Sequence, residues 1–288
     1  MRKTILFLFM LVFTFSFALA GCGSSGGSNT AGGDEAKSTL QKIKDRGKLI
    51  AGVKYDVKLF GLKDPASGKI KGYDADLMRA LAKHIFGEDK NIEDILEFKQ
   101  VNSKTRFEMV NNGEVDMASA TATVTPDREK KVDFSNIYFI AGQSLLVKKG
   151  SPIKSIDDLG PDTTVIAVKG STSEKNIKEK APDAPVQLFD DYAQAFSALK
   201  AGKGVTLTTD NAILLGMHKE DPNYVLTGGL FTDEPYGMIF RENDDRFRKY
   251  VNDFLNQMKE SGKLAEIYKK WFGDAPPDDI LKENTMLK

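Results

Sequence analysis

Arg128 stands at the end of an unusual run, Thr121-Ala122-Thr123-Val124-Thr125-Pro126-Asp127-Arg128. A guanidinium fork holds a carboxylate through two parallel hydrogen bonds, which lysine cannot imitate. The alternative is a surface arginine, because Glu129-Lys130-Lys131 follow directly. Ala120, Thr121 and Thr123 lie just past a β-rich stretch, Val115–Ser119, where ligands of open α/β sheets gather. Alternating threonines also suit a half-exposed edge. A second candidate is Val168-Lys169-Gly170-Ser171-Thr172-Ser173, which follows a strand pattern and opens a helical one from Glu174 to Lys180. Free backbone N–H groups at a helix start attract anions, and Thr172 or Ser173 can equally cap the helix. Asp210 closes the stretch Val205–Thr209 and puts one acid at a position that also suits a cap. Catalysis needs a nucleophile, a metal cluster or a tuned acid–base pair. His84 and His218 have no recognisable partner, Cys22 is the only cysteine, and no metal-ligand spacing or cofactor motif occurs. These features argue for binding and against an enzyme. Lysine plus arginine balance aspartate plus glutamate, 41 to 41, which offers nothing to nucleic acid.

Short β-rich runs alternate with amphipathic helical patterns. The expected strands are Leu49–Val53, Leu96–Val101, Val115–Ser119, Ser144–Lys148, Thr164–Val168, Val205–Thr209 and Tyr236–Arg241. Several are continuously apolar, as in strands buried on both faces. Leu77, Leu81 and Ile85 form one helical stripe. Phe247, Val251, Phe254, Leu255 and Met258 form a second, and Leu264, Ile267, Tyr268, Trp271 and Phe272 a third. The alternation predicts an α/β body with largely parallel sheets. Breaks at Lys149-Gly150-Ser151-Pro152 and Thr227-Gly228-Gly229 suggest two lobes.

The chain begins with Arg2-Lys3 and an apolar run from Ile5 to Ala20, too short and wrongly flanked for a comfortable spanning helix. It reads as a signal peptide over residues 1–21. Leu19-Ala20-Gly21-Cys22 resembles the lipobox of bacterial lipoproteins, which implies a lipid on Cys22 and an anchor at the outer face of the cytoplasmic membrane. Residues 22–38, rich in Gly, Ser, Ala, Asn and Thr, read as a tether. No second long apolar segment follows, so the mature body is expected to be soluble.

Gly72-Tyr73-Asp74-Ala75-Asp76-Leu77, followed by Leu81-Ala82 and Ile85, resembles the signature of the family 3 extracellular solute-binding proteins, the receptor subunits of polar amino-acid ABC importers. Four more segments agree in order: Gly52-Val53-Lys54-Tyr55-Asp56, the run Thr121–Arg128, Asp133-Phe134-Ser135 and Thr209-Asp210-Asn211-Ala212. The likeness covers residues 40 to 272 and departs at Ala75, Ala122 and Val205-Thr206. It implies a two-lobed type II periplasmic-binding-protein fold with ligand in the interlobe cleft. Lobe 1 would comprise residues 39–142 and the return 234–288 with its C-terminal tail, and lobe 2 residues 143–233. It further implies a monomer, a permease partner in the membrane and no cofactor.

An amino acid brings a carboxylate and an ammonium into the cleft, and each needs a partner because buried unpaired charge costs several kcal/mol. The resemblance assigns Arg128, Thr172 and Ser173 to the α-carboxylate and Asp210 to the ammonium. It gives Ala120 and Thr121 backbone contacts, Thr123 a hydroxyl contact, and Tyr236 a place where the second crossover returns. Phe60 suits a cleft wall or core packing equally. Lys54 and Arg106 match the positions that read the ligand side chain. With Arg128 and Asp210 balancing the zwitterion, those two further cations suit an extra carboxylate. The expected ligand is therefore glutamate or aspartate, with glutamine the alternative. An enzyme or a chemosensory module on the same fold are the more distant ones.

Overall fold

The computed structural model describes residues 38–281. The signal peptide, Cys22 and nearly all of the tether fall outside them. The described chain is a two-lobed α/β body built on two five-stranded sheets of the same design. In lobe 1 the order is Leu96–Gln100, Leu49–Val53, Met117–Ala118, Ile239–Phe240, Asp133–Phe134. In lobe 2 it is Val186–Phe189, Val165–Val168, Thr206–Asp210, Gln143–Lys148, Tyr224–Thr227.

Both sheets are parallel across their first three strands. In each, the fourth strand pairs antiparallel with both of its neighbours. That reversed strand is Ile239–Phe240 in lobe 1 and Gln143–Lys148 in lobe 2. Each is the first strand of its sheet after the chain has crossed between lobes. The expected largely parallel sheets thus hold four strands in one direction and one reversed, which makes half of the pairings antiparallel.

The crossings themselves form a ribbon, in which Phe139–Ala141 pairs antiparallel with Glu234–Tyr236. The expected single strand Tyr236–Arg241 is therefore two strands in different sheets. They part at Gly237, where an added Cβ would lie 2.9 Å from Val124 Cγ2 and 3.0 Å from Phe134 Cδ1. The chain can make that turn close to its neighbours only without a side chain.

Helix Tyr73–Phe86 buries Leu77, Met78, Leu81 and Ala82 in lobe 1. Helices Asp245–Glu260 and Lys263–Phe272 bring their apolar stripes to the same core. Burying a Leu, Phe or Met side chain contributes about 1.5–3 kcal/mol. An aromatic cluster ties these helices to the ribbon. Phe60 contacts Tyr73, Phe139, Tyr236 and Phe272, with ring centroids 5.0–6.2 Å apart. Phe60 is fully buried in that cluster, so it supports Tyr236 from behind as part of the core.

Candidate ligand-binding site

The polar segments picked from sequence sit at the carboxyl ends of parallel strands in both sheets. Lys54 follows Leu49–Val53, Ala120 and Thr121 follow Met117–Ala118, Thr172 and Ser173 follow Val165–Val168, and Asp210 ends its own strand. The two lobes meet there. Arg128 donates from Nη1 to the Thr123 carbonyl (2.8 Å) and from Nη2 across the cleft to the Gly170 carbonyl (3.1 Å). Gly170, with φ at +75°, lies so close that a Cβ would be 2.9 Å from Lys104 Cα and from the Ser103 carbonyl.

Arg106 is fully buried, against Phe107 on one side, and gives Nη1 to the carbonyls of Ala120 (2.6 Å) and Thr121 (2.8 Å). Thr121 has φ at +49°, rare for a β-branched residue. Its backbone N–H donates to Asp74 Oδ2 (3.2 Å), and Asp74 Oδ1 accepts from Ser119 Oγ and Tyr138 OH. Asp74 thus holds the strained turn that carries Ala120 and Thr121. Strain of this kind is kept where the surroundings over-determine it.

Lys54 is 1% exposed and donates to Ser103 Oγ (2.9 Å) with its Nζ 4.4 Å from the Tyr192 ring centre. Burial pushes its pKa down to about 7, and Arg106 adds repulsion. Arg128 is lowered to about 9, by burial first and then by Arg106, and stays charged at neutral pH.

Ser171, not Thr172 or Ser173, caps the helix Thr172–Lys180, accepting from the Glu174 N–H. Asp210 stands at the start of helix Asn211–Glu220 without a side-chain capping bond. Its Oδ2 accepts instead from Tyr236 OH. Burial raises its pKa to about 7, with the nearby Glu234 charge adding to the effect.

Five buried side-chain polar atoms lack a partner among the described residues. Four of them are Arg106 Nε, Thr121 Oγ1, Ser173 Oγ and Asp210 Oδ1. A buried polar atom without a partner costs about 1–3 kcal/mol. Their concentration on four of the residues picked from sequence marks one polar site with donors and acceptors to give.

Sequence reasoning missed Glu234. It is 2% exposed, and its Oε2 accepts from Thr123 Oγ1 (2.6 Å) and Thr172 Oγ1 (2.7 Å). Its Oε1 accepts from Asn176 Nδ2 (2.9 Å) and Thr232 Oγ1 (2.8 Å). Asn176 Nδ2 also reaches Gln143 Oε1, whose amide nitrogen contacts the Ser173 carbonyl and Thr208. Sequence reasoning also missed Asp56, a lobe 1 carboxylate that accepts from the Tyr192 N–H (2.7 Å) at the start of the lobe 2 helix Tyr192–Lys200.

The site therefore holds no surplus of cations. Lys54, Arg106 and Arg128 face Asp74, Asp210 and Glu234, and half-buried Asp56 lies beside Lys54. The expected surplus of two cations, on which the acidic ligand rested, disappears once Asp74 and Glu234 are counted.

Two lobes whose strand ends face each other across a polar cleft are the architecture of a solute receptor. Residues 49–274 match the bacterial extracellular solute-binding proteins, family 3, and the chain belongs to that family. It is 51% identical over 276 residues to the ABC transporter glutamine-binding protein GlnH of Bacillus subtilis (strain 168), covering 96% of this chain and 100% of that one. It is 52% identical over 249 residues to a glutamine-binding protein of Geobacillus stearothermophilus, covering 82% and 93%. Among solved structures, an ancestral arginine-binding protein bound to glutamine superposes with a TM-score of 0.73 at 38% identity, over 80% of this chain and 99% of that one.

Proposed function

We propose that this protein captures glutamine outside the cytoplasmic membrane and delivers it to the permease of an ABC importer. The observation that carries the choice of ligand is the charge balance of the site. Glutamine enters as a zwitterion with a neutral side chain and leaves buried Lys54 and Arg106 and half-buried Arg128 facing three buried carboxylates. Glutamate would add a charge that no buried cation is left over to pair, and unpaired buried charge is costly. The two glutamine-binding relatives at about half identity favour the same ligand.

In this reading Arg128 and the N–H groups at Thr172 and Ser173 hold the α-carboxylate. Asp210, oriented by Tyr236, holds the ammonium. Ala120, Thr121 and Thr123 contact the same end of the ligand, while Lys54 and Arg106 line its side chain. Lobe 1, residues 39–142 and 234–288, and lobe 2, residues 143–233, close as units about the ribbon of Phe139–Ala141 and Glu234–Tyr236. The protein acts as a monomer, performs no chemistry on its ligand and is tethered through a lipid on Cys22, in a segment outside the described residues. The test is mass spectrometry of the small molecules released when gently purified protein is denatured. Glutamine at close to one per chain is expected. Glutamate or aspartate in its place would reject the ligand, and a chemically altered amino acid would reject the receptor.

A further inference from the structure

We propose that Glu234 is a positioning residue for the ligand's ammonium group, an inference that rests on the reading of this cleft as an amino-acid site. A threonine hydroxyl has a single proton to donate and two lone pairs. Thr123, from lobe 1, and Thr172, from lobe 2, both direct that proton to the same oxygen of Glu234, at 2.6 and 2.7 Å. With their protons committed, both hydroxyl oxygens turn only lone pairs outward. They lie 3.5 Å apart and face each other across the lobe boundary. Two acceptors from opposite lobes suit a ligand donor and repel a ligand carboxylate.

The donor in question is the ammonium. Asp210, with its free Oδ1, is near enough to Glu234 that the Glu234 charge helps to raise its pKa. Tyr236, two residues beyond Glu234 on the same strand, donates to the other oxygen of Asp210. One strand of the crossover ribbon therefore orients both the acid and the hydroxyls at a single end of the ligand. The other oxygen of Glu234 is fixed by Asn176 and Thr232, so the carboxylate cannot turn away without breaking two more bonds.

Glu234→Gln keeps the shape and replaces an acceptor-only group with one that donates from one side. An amide N–H turned toward Thr123 and Thr172 would release their protons toward the ammonium. The measurement is a cycle of four dissociation constants by calorimetry. Wild type and Glu234→Gln are each titrated with glutamine and with 4-carbamoylbutanoate, which is glutamine without its amino group. The expected result is a loss of about tenfold or more for glutamine and a change within about threefold for the deamino compound. Thr123→Val, which removes one of the oriented oxygens, should show the same selectivity, and it serves if the glutamate variant fails to fold. Equal losses for both ligands in the variants would mean that Glu234 only staples the lobes together, and would overturn the proposal. If wild type holds a different amino acid, the glutamine reading fails. The same cycle, run on that amino acid and its deamino analogue, then decides the role of Glu234 by the same ratio.

Discussion

Asp210→Asn removes one charge and almost no volume from the centre of the site. In wild type the carboxylate is 4% exposed, takes one hydrogen bond from Tyr236 and has a free Oδ1. The asparagine amide can keep the Tyr236 contact through its oxygen but presents an NH2 group to the ligand ammonium. Breaking a buried, hydrogen-bonded charge pair costs about 2–5 kcal/mol, which is a loss of about 30-fold to several thousand-fold in affinity. The pH dependence is a second consequence. Burial, reinforced by Glu234, holds Asp210 at about 7 without ligand, and in the proposed role only its ionised form pairs the ammonium. A bound ammonium lowers that pKa. Affinity is therefore complete above about 7 and falls as the pH drops through that value, approaching tenfold per pH unit. Lys54, also lowered to about 7 by burial, takes up its proton over the same range. In Asp210→Asn only the Lys54 contribution remains, so the steep acid limb should disappear. Calorimetric titration of both proteins with glutamine from pH 8 to pH 5.5 supplies the comparison. An affinity within twofold of wild type, or the same acid limb in both proteins, would refute the assignment.

Asp191 caps the helix Tyr192–Lys200, and Asp56 accepts from its first N–H from the opposite lobe, so Asp56→Ala should weaken glutamine binding although it touches no assigned ligand group. Loss of one such hydrogen bond costs about 0.5–1.5 kcal/mol, and titration should show a loss of roughly 2- to 10-fold; no change would remove Asp56 from the closing contact. Gly170→Ala should hold the lobes apart, because its Cβ would lie 2.9 Å from Lys104 Cα at a backbone angle that disfavours a side chain. Small-angle scattering should then show no contraction at saturating glutamine where wild type contracts, and equal contraction in both would contradict it. Cys22→Ala should release the protein from membranes or leave its leader uncut in a bacterial host, and unchanged size with unchanged membrane retention would sink the anchor. Two acyl chains are what stable anchoring requires.

The two-lobed α/β fold was legible because its signals are local. Apolar runs such as Leu49–Val53 and stripes such as Phe247, Val251 and Phe254 are written within single elements. The split at Gly237 was not, because the reason for it is the approach of Val124 and Phe134, both distant in sequence. The site followed the same division. Lys54, Arg106, Ala120, Thr121, Thr123, Arg128, Thr172, Ser173, Asp210 and Tyr236 were picked out by residue type and by resemblance, and the structure gathers them at the meeting of the lobes. Their charge balance was hidden. Glu234 lies in a short crossover with no motif of its own, and its four partners are Thr123, Thr232 and the pair Thr172 and Asn176 of one lobe 2 helix. Asp74 carried a signal, since it sits within Gly72-Tyr73-Asp74. An acid one step into a helix reads as ordinary charge complementing the helix start, and only the fold shows it buried beneath Thr121. Counting cations without these two acids produced the expectation of an acidic ligand.

The most direct measurement of the central claim is a calorimetric titration of the mature protein, freed of endogenous ligand, with glutamine, glutamate and aspartate at pH 7.5. Glutamine should bind at one per chain and at least about fivefold more tightly than either acid, the ratio expected when one unpaired buried group costs roughly 1–3 kcal/mol. Tighter binding of glutamate or aspartate would contradict it, and would mean that Lys54 and Arg106 face the ligand as unbalanced cations after all.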